Sequence, residues 1–254
     1  MSANFFSIVE QSLPAPTRTF IETADGKIYT YADLLKVSAR IANALKARGV
    51  AVGDRVAVQV EKSAEAILLY LACARAGFVF LPLNTAYTLA ELEYFIGDAE
   101  PAMVVCQPSK LPAIEPIARK LGVKAVETLG QARDGTIMAL AGNASESFET
   151  VARADGDLAA LLYTSGTTGR SKGAMLTHRN LSSNALVLKD FWRFSLDDVL
   201  LHALPIFHTH GLFVATNTTL VTGSSMIFMQ KFDPDEVFRL LPRANVMMGV
   251  PTFY

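Results

Sequence analysis

The segment Leu158-Ala-Ala-Leu-Leu-Tyr-Thr-Ser-Gly-Thr-Thr-Gly-Arg-Ser-Lys-Gly173 joins an apolar run to a turn rich in glycine and hydroxyl groups. The run Leu158 to Leu162 predicts a buried strand before the turn, and a helix is expected after it. Glycines at 166, 169 and 173 let the backbone bend sharply and approach a ligand closely. The pattern therefore favours a binding turn at the end of a strand in an α/β protein.

The chemical groups of this turn suit phosphate. Its backbone N–H groups can point into one concavity and hold phosphate oxygens. Lys172 adds a flexible positive charge that suits a triphosphate. Four hydroxyls accompany it, on Thr164, Ser165, Thr167 and Thr168. The spacing Gly-x-x-Gly-x-x-Lys-Gly is not the Walker pattern, because no Ser or Thr follows the lysine. We interpret the turn as a nucleotide-phosphate loop; the alternative is a solvated loop with an incidental lysine.

Helical and strand patterns alternate on both sides of the turn. Strands are predicted over residues 55–60, 78–81, 102–106, 123–126, 158–163, 199–204, 225–229 and 246–250. Helices are predicted between residues 30 and 49, over 64–76, from 88 onward, and over 113–121, 181–191, 211–220 and 234–241. Repeated βα units imply mainly parallel sheets with helices on both faces. Residues 130–157 lack periodicity, so we expect one α/β subdomain over 1–150 and a second over 151–254.

Composition excludes several classes of protein. The chain has 23 basic and 24 acidic residues and a net charge of -1, which gives no electrostatic reason to expect nucleic acid or an anionic membrane as partner. The longest apolar run, residues 66–74, is too short to span a bilayer, and the N-terminus lacks the pattern of a signal peptide. Cys73 and Cys106 are expected to be buried and reduced. These features predict a cytoplasmic protein.

The string Tyr163–Gly173 resembles the signature of the adenylate-forming superfamily, which includes acyl-CoA synthetases, peptide-synthetase adenylation domains and luciferases. Other stretches resemble further motifs of the superfamily in the expected order: Thr30-Tyr-Ala-Asp-Leu34, Ala74-Arg-Ala-Gly77, Leu81-Pro-Leu-Asn84, and Leu204-Pro-Ile-Phe-His208 followed by Gly211. The resemblance spans nearly all of the chain. It implies two α/β subdomains of the large N-terminal domain of an adenylate-forming enzyme.

Within the superfamily the chain is most similar to malonyl-CoA synthetases. This narrower likeness is carried by residues 81–88, by His202-Ala-Leu-Pro-Ile-Phe-His-Thr-His-Gly211, and by Gly249-Val-Pro-Thr-Phe-Tyr254. It implies an acid–CoA ligase that uses ATP, Mg²⁺ and coenzyme A to activate malonate as an acyl-adenylate. Two alternatives remain, namely a ligase for a monocarboxylic fatty or aryl acid, and a non-catalytic nucleotide-binding protein. Ser171 departs from the family pattern, since many members have proline there, and the loop is slightly less rigid as a result.

The resemblance also assigns roles to particular residues. Lys172 and His208 are implied as catalytic residues, with His208 between the acyl pocket and the nucleotide. Thr164 is implied as the neighbour of Mg²⁺, and His210 is expected to help hold the second carboxylate of malonate. The residues implied to hold the ATP phosphates are Thr164, Ser165, Gly166, Thr167, Thr168, Gly169 and Lys172. His178 and His202 are expected to be structural.

Part of the family machinery is expected beyond residue 254. The resemblance places there the metal-binding glutamate, the ribose-binding aspartate, the hinge and the C-terminal domain with its catalytic lysine. The sequence ends directly after an apolar strand, which suggests truncation. We therefore expect that residues 1–254 alone cannot complete adenylation. The sequence does not indicate an oligomeric state.

Overall fold

The computed structural model describes residues 2–164 and 171–253. The α-helices are α1 (Phe5–Gln11), α2 (Tyr31–Ala47), α3 (Ala64–Ala76), α4 (Leu89–Ala99), α5 (Leu111–Lys120), α6 (Thr136–Gly142), α7 (His178–Phe191), α8 (Asn217–Thr222) and α9 (Pro234–Leu240). The strands are β1 (Thr19–Thr23), β2 (Ile28–Thr30), β3 (Arg55–Gln59), β4 (Val79–Pro82), β5 (Met103–Cys106), β6 (Ala125–Thr128), β7 (Leu158–Thr164), β8 (Lys172–Thr177), β9 (Val199–His202), β10 (Ser225–Phe228) and β11 (Val246–Met248). A π-helix, His210–Thr216, precedes α8.

The strands form two sheets. The first sheet has the order β6-β5-β3-β4-β7-β8, and the second has the order β11-β9-β10-β1-β2. Only the β7–β8 and β1–β2 pairs are antiparallel among the described strands, and all other pairs are parallel. The prediction of mainly parallel sheets is therefore confirmed.

Helices cover both faces of each sheet. In β3, Val56 and Val58 pack into the core that contains α2 and α3, whereas Ala57 packs against α4 and α5 on the opposite face. In β9, Leu200 faces the core of α3, whereas Leu201 packs against α9. Successive residues of a strand point to opposite faces, so a strand buried on both sides is a continuous apolar run. The buried strands of both sheets are accordingly apolar on both faces.

Helix α3 lies at the centre of the core, and every one of its residues is buried. The Ser63 side chain caps its first turn, and Gly77 ends it in the left-handed conformation with φ of 71°. The Tyr70 ring lies 5.3 Å from the Phe80 ring in the first sheet and 5.8 Å from the Phe213 ring in the π-helix, measured between ring centroids. Helix α3 thus holds the first sheet and the π-helix in fixed relation.

Strands of the two sheets come from both parts of the sequence. Strands β7 and β8 join the first sheet beside β4, and β1 and β2 join the second sheet beside β10. The division into residues 1–150 and 151–254 stays a prediction, and the pairing of the strands crosses it.

The helix predicted over residues 181–191 is present as α7, but a strand that was not predicted comes first after the turn. Strand β8 follows it and pairs antiparallel with β7, and α7 begins only at His178. Residues 172–175 of β8 are exposed, because β8 is an edge strand. An edge strand without a buried face lacks the apolar pattern by which strands are recognised in a sequence.

The two cysteines are buried, and the described helices are short, as the sequence predicts. Cys73 and Cys106 are both free and buried, and burial raises the pKa of the Cys106 thiol to about 11. Within the described ranges no helix is both long enough and apolar enough to cross a membrane.

His178 fastens the N-terminal helix to α7. Its imidazole is fully buried, and its Nδ1 accepts a hydrogen bond of 3.1 Å from the Phe5 backbone N–H. Burial, and next the positive charge of Arg153, lower the pKa of His178 to about 4. The folded protein therefore keeps this ring neutral, as its acceptor role requires.

This neutral imidazole predicts a loss of stability on acidification. Between pH 6.5 and 4 the unfolded chain gains a proton on His178 that the folded protein does not, so the free energy of unfolding falls by about 3 kcal/mol from this group. His178→Asn keeps an acceptor for the Phe5 N–H but cannot titrate. Denaturant unfolding of the full-length protein at pH 7 and pH 4.5 should show a smaller decrease for His178→Asn than for the wild type. His210→Asn serves as control, and equal decreases in the wild type and His178→Asn would contradict the prediction.

Candidate functional site

The hairpin of β7 and β8 positions the two ends of the predicted phosphate loop. Thr164 is the last residue of β7, Lys172 is the first of β8, and the two are partners in the antiparallel register. Both side chains are exposed. The loop residues Ser165, Gly166, Thr167, Thr168 and Gly169 lie outside the described residues. The structure therefore brings Thr164 and Lys172 together at the mouth of the loop.

Helix α4 supports the base of this hairpin. The Tyr163 ring packs against Phe95, with ring centroids 4.4 Å apart, and its hydroxyl donates a hydrogen bond to Asp98. The Tyr94 hydroxyl donates a bond of 3.1 Å to the backbone carbonyl of Ser171. The strand ends are thus held by side chains on one face of a helix, which fixes the direction in which the loop leaves the sheet.

Lys172 is available for a ligand. Its ammonium group makes no hydrogen bond or ion pair with any residue in the described ranges, and its side chain is exposed at the loop mouth. Other basic side chains in the described ranges form ion pairs, as Arg48 does with Glu127 at 2.5 Å. A cation without an internal partner can neutralise part of a phosphate chain.

His208 and His210 lie together after β9, on the second sheet. The His208 ring is exposed and lies 4.5 Å from the Phe207 ring, measured between centroids. Partial burial lowers its pKa, so the ring is neutral at physiological pH. Within the described ranges neither imidazole has a hydrogen-bond partner. His208 can therefore offer one N–H and one lone pair to a bound group.

The local sequence explains how this segment packs. His210 begins the π-helix, a rare conformation that occurs frequently at functional sites. Gly211 follows it, and a Cβ atom there would lie 2.1 Å from the Pro205 carbonyl oxygen. Only glycine lets the helix approach the chain this closely, so Gly211 sets the distance between the two histidines and the strand end.

Two cavities open at the carboxyl ends of the parallel strands. One of 770 Å³ lies between α3, the β1–β2 hairpin and α9, and a smaller one of 240 Å³ lies beside Phe207 and Phe253. Both are lined by Lys62, Gln230 and Lys231. The carboxyl ends of parallel strands are the usual place for ligands in α/β proteins.

These two cavities do not contain the predicted site residues. Neither is lined by Thr164, Lys172, His208 or His210. The structure places Thr164 and Lys172 on one sheet and the two histidines after a strand of the other sheet. The sequence analysis missed Lys62, whose only signal was a lysine three residues after a buried strand.

The chain belongs to the AMP-binding enzyme family, whose pattern matches residues 9–254. Among solved structures it is similar to MatB from Rhodopseudomonas palustris, solved without ligand and with ATP bound. The identity is 60% and the TM-score 0.97, over 100% of this chain and 50% of that chain. The family resemblance of the sequence motifs is therefore confirmed.

Two curated relatives show the range of acids in the family. The chain is 32% identical over 239 residues to the mitochondrial malonate–CoA ligase ACSF3 of Homo sapiens, and the aligned region covers 89% of this chain and 40% of that protein. It is 35% identical over 233 residues to a feruloyl-CoA synthase of Amycolatopsis sp, and the aligned region covers 90% of this chain and 45% of that protein. The chain thus spans less than half the length of these two relatives.

Gly211 provides a test of the packing of the π-helix. Gly211→Ala should lower the free energy of unfolding by about 1–3 kcal/mol, because the new methyl group overlaps the Pro205 carbonyl. Gly156→Ala is the matched control, since a Cβ atom at Gly156 meets nothing within 4 Å. Denaturant unfolding of the full-length variants measures both. Equal stability of the two variants would show that the close approach at Gly211 is not a constraint.

Proposed function

We propose that the full-length protein is an AMP-forming acid–CoA ligase that activates malonate with ATP and transfers the malonyl group to coenzyme A. The observation that carries the proposal is the 60% identity to MatB, a protein solved with ATP bound, over the whole of this chain. The choice of malonate is supported by the likeness to malonate–CoA ligase ACSF3. The cytoplasmic location predicted from the sequence is part of the proposal, although that relative is mitochondrial.

The reaction has two steps. A carboxylate oxygen attacks the α-phosphorus of ATP, and the bond to pyrophosphate breaks to give the acyl-adenylate. The sulfur of coenzyme A then attacks the carbonyl carbon, the bond to AMP breaks, and the thiol proton passes to solvent. The first step brings an anion toward a highly charged triphosphate, so it needs positive charge and oriented donors at the phosphates.

The hairpin loop supplies these groups in the proposal. Lys172 neutralises charge on the phosphates, because its ammonium has no partner among the described residues and stands at the mouth of the loop. Thr164, Ser165, Gly166, Thr167, Thr168 and Gly169 hold the phosphate oxygens through hydroxyl and backbone donors.

A magnesium ion fits this arrangement through Thr164. Mg²⁺ prefers oxygen ligands and is usually bound with few protein groups, substrate phosphates and water. The exposed Thr164 hydroxyl, next to Lys172, offers one such oxygen. When bound, the ion would offset the negative charge of the triphosphate.

The two histidines bind the carboxylic-acid substrate in the proposed site. The neutral His208 donates its N–H to the reacting carboxylate and positions it, and His210 contributes to holding the distal carboxylate. Partial burial lowers the pKa of His208, which favours the uncharged ring at neutral pH, so His208 orients the nucleophile without neutralising it.

A substrate screen tests the function. Full-length protein with ATP, Mg²⁺ and coenzyme A should form AMP and pyrophosphate in the presence of malonate, while residues 1–254 alone should give no malonate-dependent ATP–pyrophosphate exchange. Activity with ferulate or a fatty acid, and none with malonate, would instead favour the monocarboxylic alternative suggested by the 35% identity to feruloyl-CoA synthase. Absence of AMP formation with every acid would refute the ligase function.

Lys172 tests the nucleotide side of the proposal. Lys172→Ala should lower the rate of acid-dependent pyrophosphate release by about 100-fold, because a charge at the phosphates is lost. Lys124→Ala removes an exposed lysine between α5 and β6 and should leave the rate unchanged. Unaltered activity of Lys172→Ala would mean that ATP is held elsewhere.

A further inference from the structure

A buried lysine connects the two sheets where their parallel strands end. Lys62 follows β3 of the first sheet, and His202 is the last residue of β9 in the second. The Lys62 ammonium nitrogen lies 3.0 Å from His202 Nδ1 and donates a bond of 2.8 Å to the His202 carbonyl oxygen. It also lies 4.3 Å from the centroid of the Phe228 ring. All of its donor directions are therefore directed at the end of the second sheet.

The hydrogen bonds define the tautomer of His202. Its Nε2 lies 2.9 Å from the carbonyl oxygen of Gly211, which can only accept, so the proton is on Nε2. Nδ1 is then the acceptor for Lys62. Burial, and next the charge of Lys62, lower the pKa of His202 well below its ordinary value, which keeps the ring in this neutral form.

The Gly211 carbonyl receives a second donor from its own helix. The Thr216 hydroxyl donates to it at 2.9 Å, from the last residue of the π-helix. His202 and Thr216 thus hold the carbonyl that opens this helix. The Leu212 N–H, one residue further on, donates a bond of 3.0 Å to the carbonyl of His208. A continuous path of hydrogen bonds and one peptide unit therefore joins Lys62 to the histidine segment.

Burying the Lys62 ammonium group is energetically unfavourable, which indicates that the residue has a role beyond filling space. Lys62 is almost completely buried, and among the described residues no carboxylate forms an ion pair with it. Burial lowers its pKa well below the ordinary value. A buried basic group without a counter-ion destabilises a fold, and such groups concentrate at functional sites. An apolar side chain would fill the same space at lower cost.

We propose that Lys62 is a positioning residue for acid binding: through His202 and the Gly211 carbonyl it sets the register of the π-helix, and thereby the placement of His208 and His210 against the carboxylate substrate. This rests on the proposed ligase function. The hydrogen bonds of Lys62 lead to the histidine segment and not to the phosphate loop, so its effect is directed at the acid and not at ATP.

Replacements of Lys62 and His202 separate positioning from stability. Lys62→Met keeps the length of the side chain but removes its donors. His202→Gln can place an N–H near the position of Nε2 and keep the bond to Gly211, whereas His202→Asn keeps only an acceptor near Nδ1 for Lys62. Lys189→Met is the control, because Lys189 also donates to a backbone carbonyl, that of Val221, but on α7.

Steady-state kinetics of the full-length protein with malonate and ATP give the decisive comparison. Lys62→Met and His202→Asn should raise the KM for malonate at least tenfold and leave the KM for ATP within twofold. His202→Gln should restore the malonate KM to within threefold of the wild type, and Lys189→Met should match the wild type.

The outcomes distinguish this inference from the function on which it rests. If the wild type forms no AMP with malonate, the proposed substrate is wrong. If the wild type is active but His202→Gln and His202→Asn have equal malonate KM values, the positioning role is overturned. It is also overturned if Lys62→Met raises both KM values together, since that result indicates general damage to the fold. Should Lys62→Met fail to fold, the His202 pair decides alone.

Discussion

The hydrogen bonds between Lys62 and His202 hold together the carboxyl ends of two sheets that have no strand in common. Parallel strands direct their carboxyl ends to one edge, and loops at that edge carry binding groups. In this molecule two such edges face each other, and the groups proposed to bind acid and nucleotide belong to different sheets. Their relative placement therefore depends on what connects the sheets, namely the buried helix α3 in the core and Lys62 at the edge.

The core and the edge of the first sheet support different parts of the proposed site. Helix α3 supplies rigidity through apolar contact with both sheets, and its aromatic residue Tyr70 contacts the first sheet and the π-helix. Close packing transmits small displacements, because protein interiors leave few voids. The hairpin that carries Lys172 stands at the outer edge of the first sheet, where α4 and α7 pack against it. The π-helix that begins at His210 is thus held from the buried core, whereas the hairpin that carries Lys172 lies at a sheet margin.

Much of this fold could be predicted from local sequence. The helices predicted to begin near Thr30, Ala64 and Thr88 are present, because Thr30 and Thr88 form capping boxes and the Ser63 side chain caps α3. Helix α1, the β1–β2 hairpin and β8 were not predicted, because they are short or lie at an edge and so lack a strong apolar period. Lys172 was found through the composition of its loop. Lys62 was not, because its environment is created by His202 and Phe228, which are distant in the chain.

The pairing of β1 with β10 bears on how the molecule is made. The Ser225 hydroxyl bonds to the Thr19 carbonyl, 206 residues away in the chain, and the intervening segment builds most of the first sheet. A ribosome therefore releases the apolar residues Phe20 and Ile21 long before their partner strand exists. Contacts of such long sequence separation form slowly, and an unpaired apolar strand is prone to aggregate. During synthesis the β1–β2 hairpin is complete well before β10, so a chaperone could shield the hairpin throughout that interval.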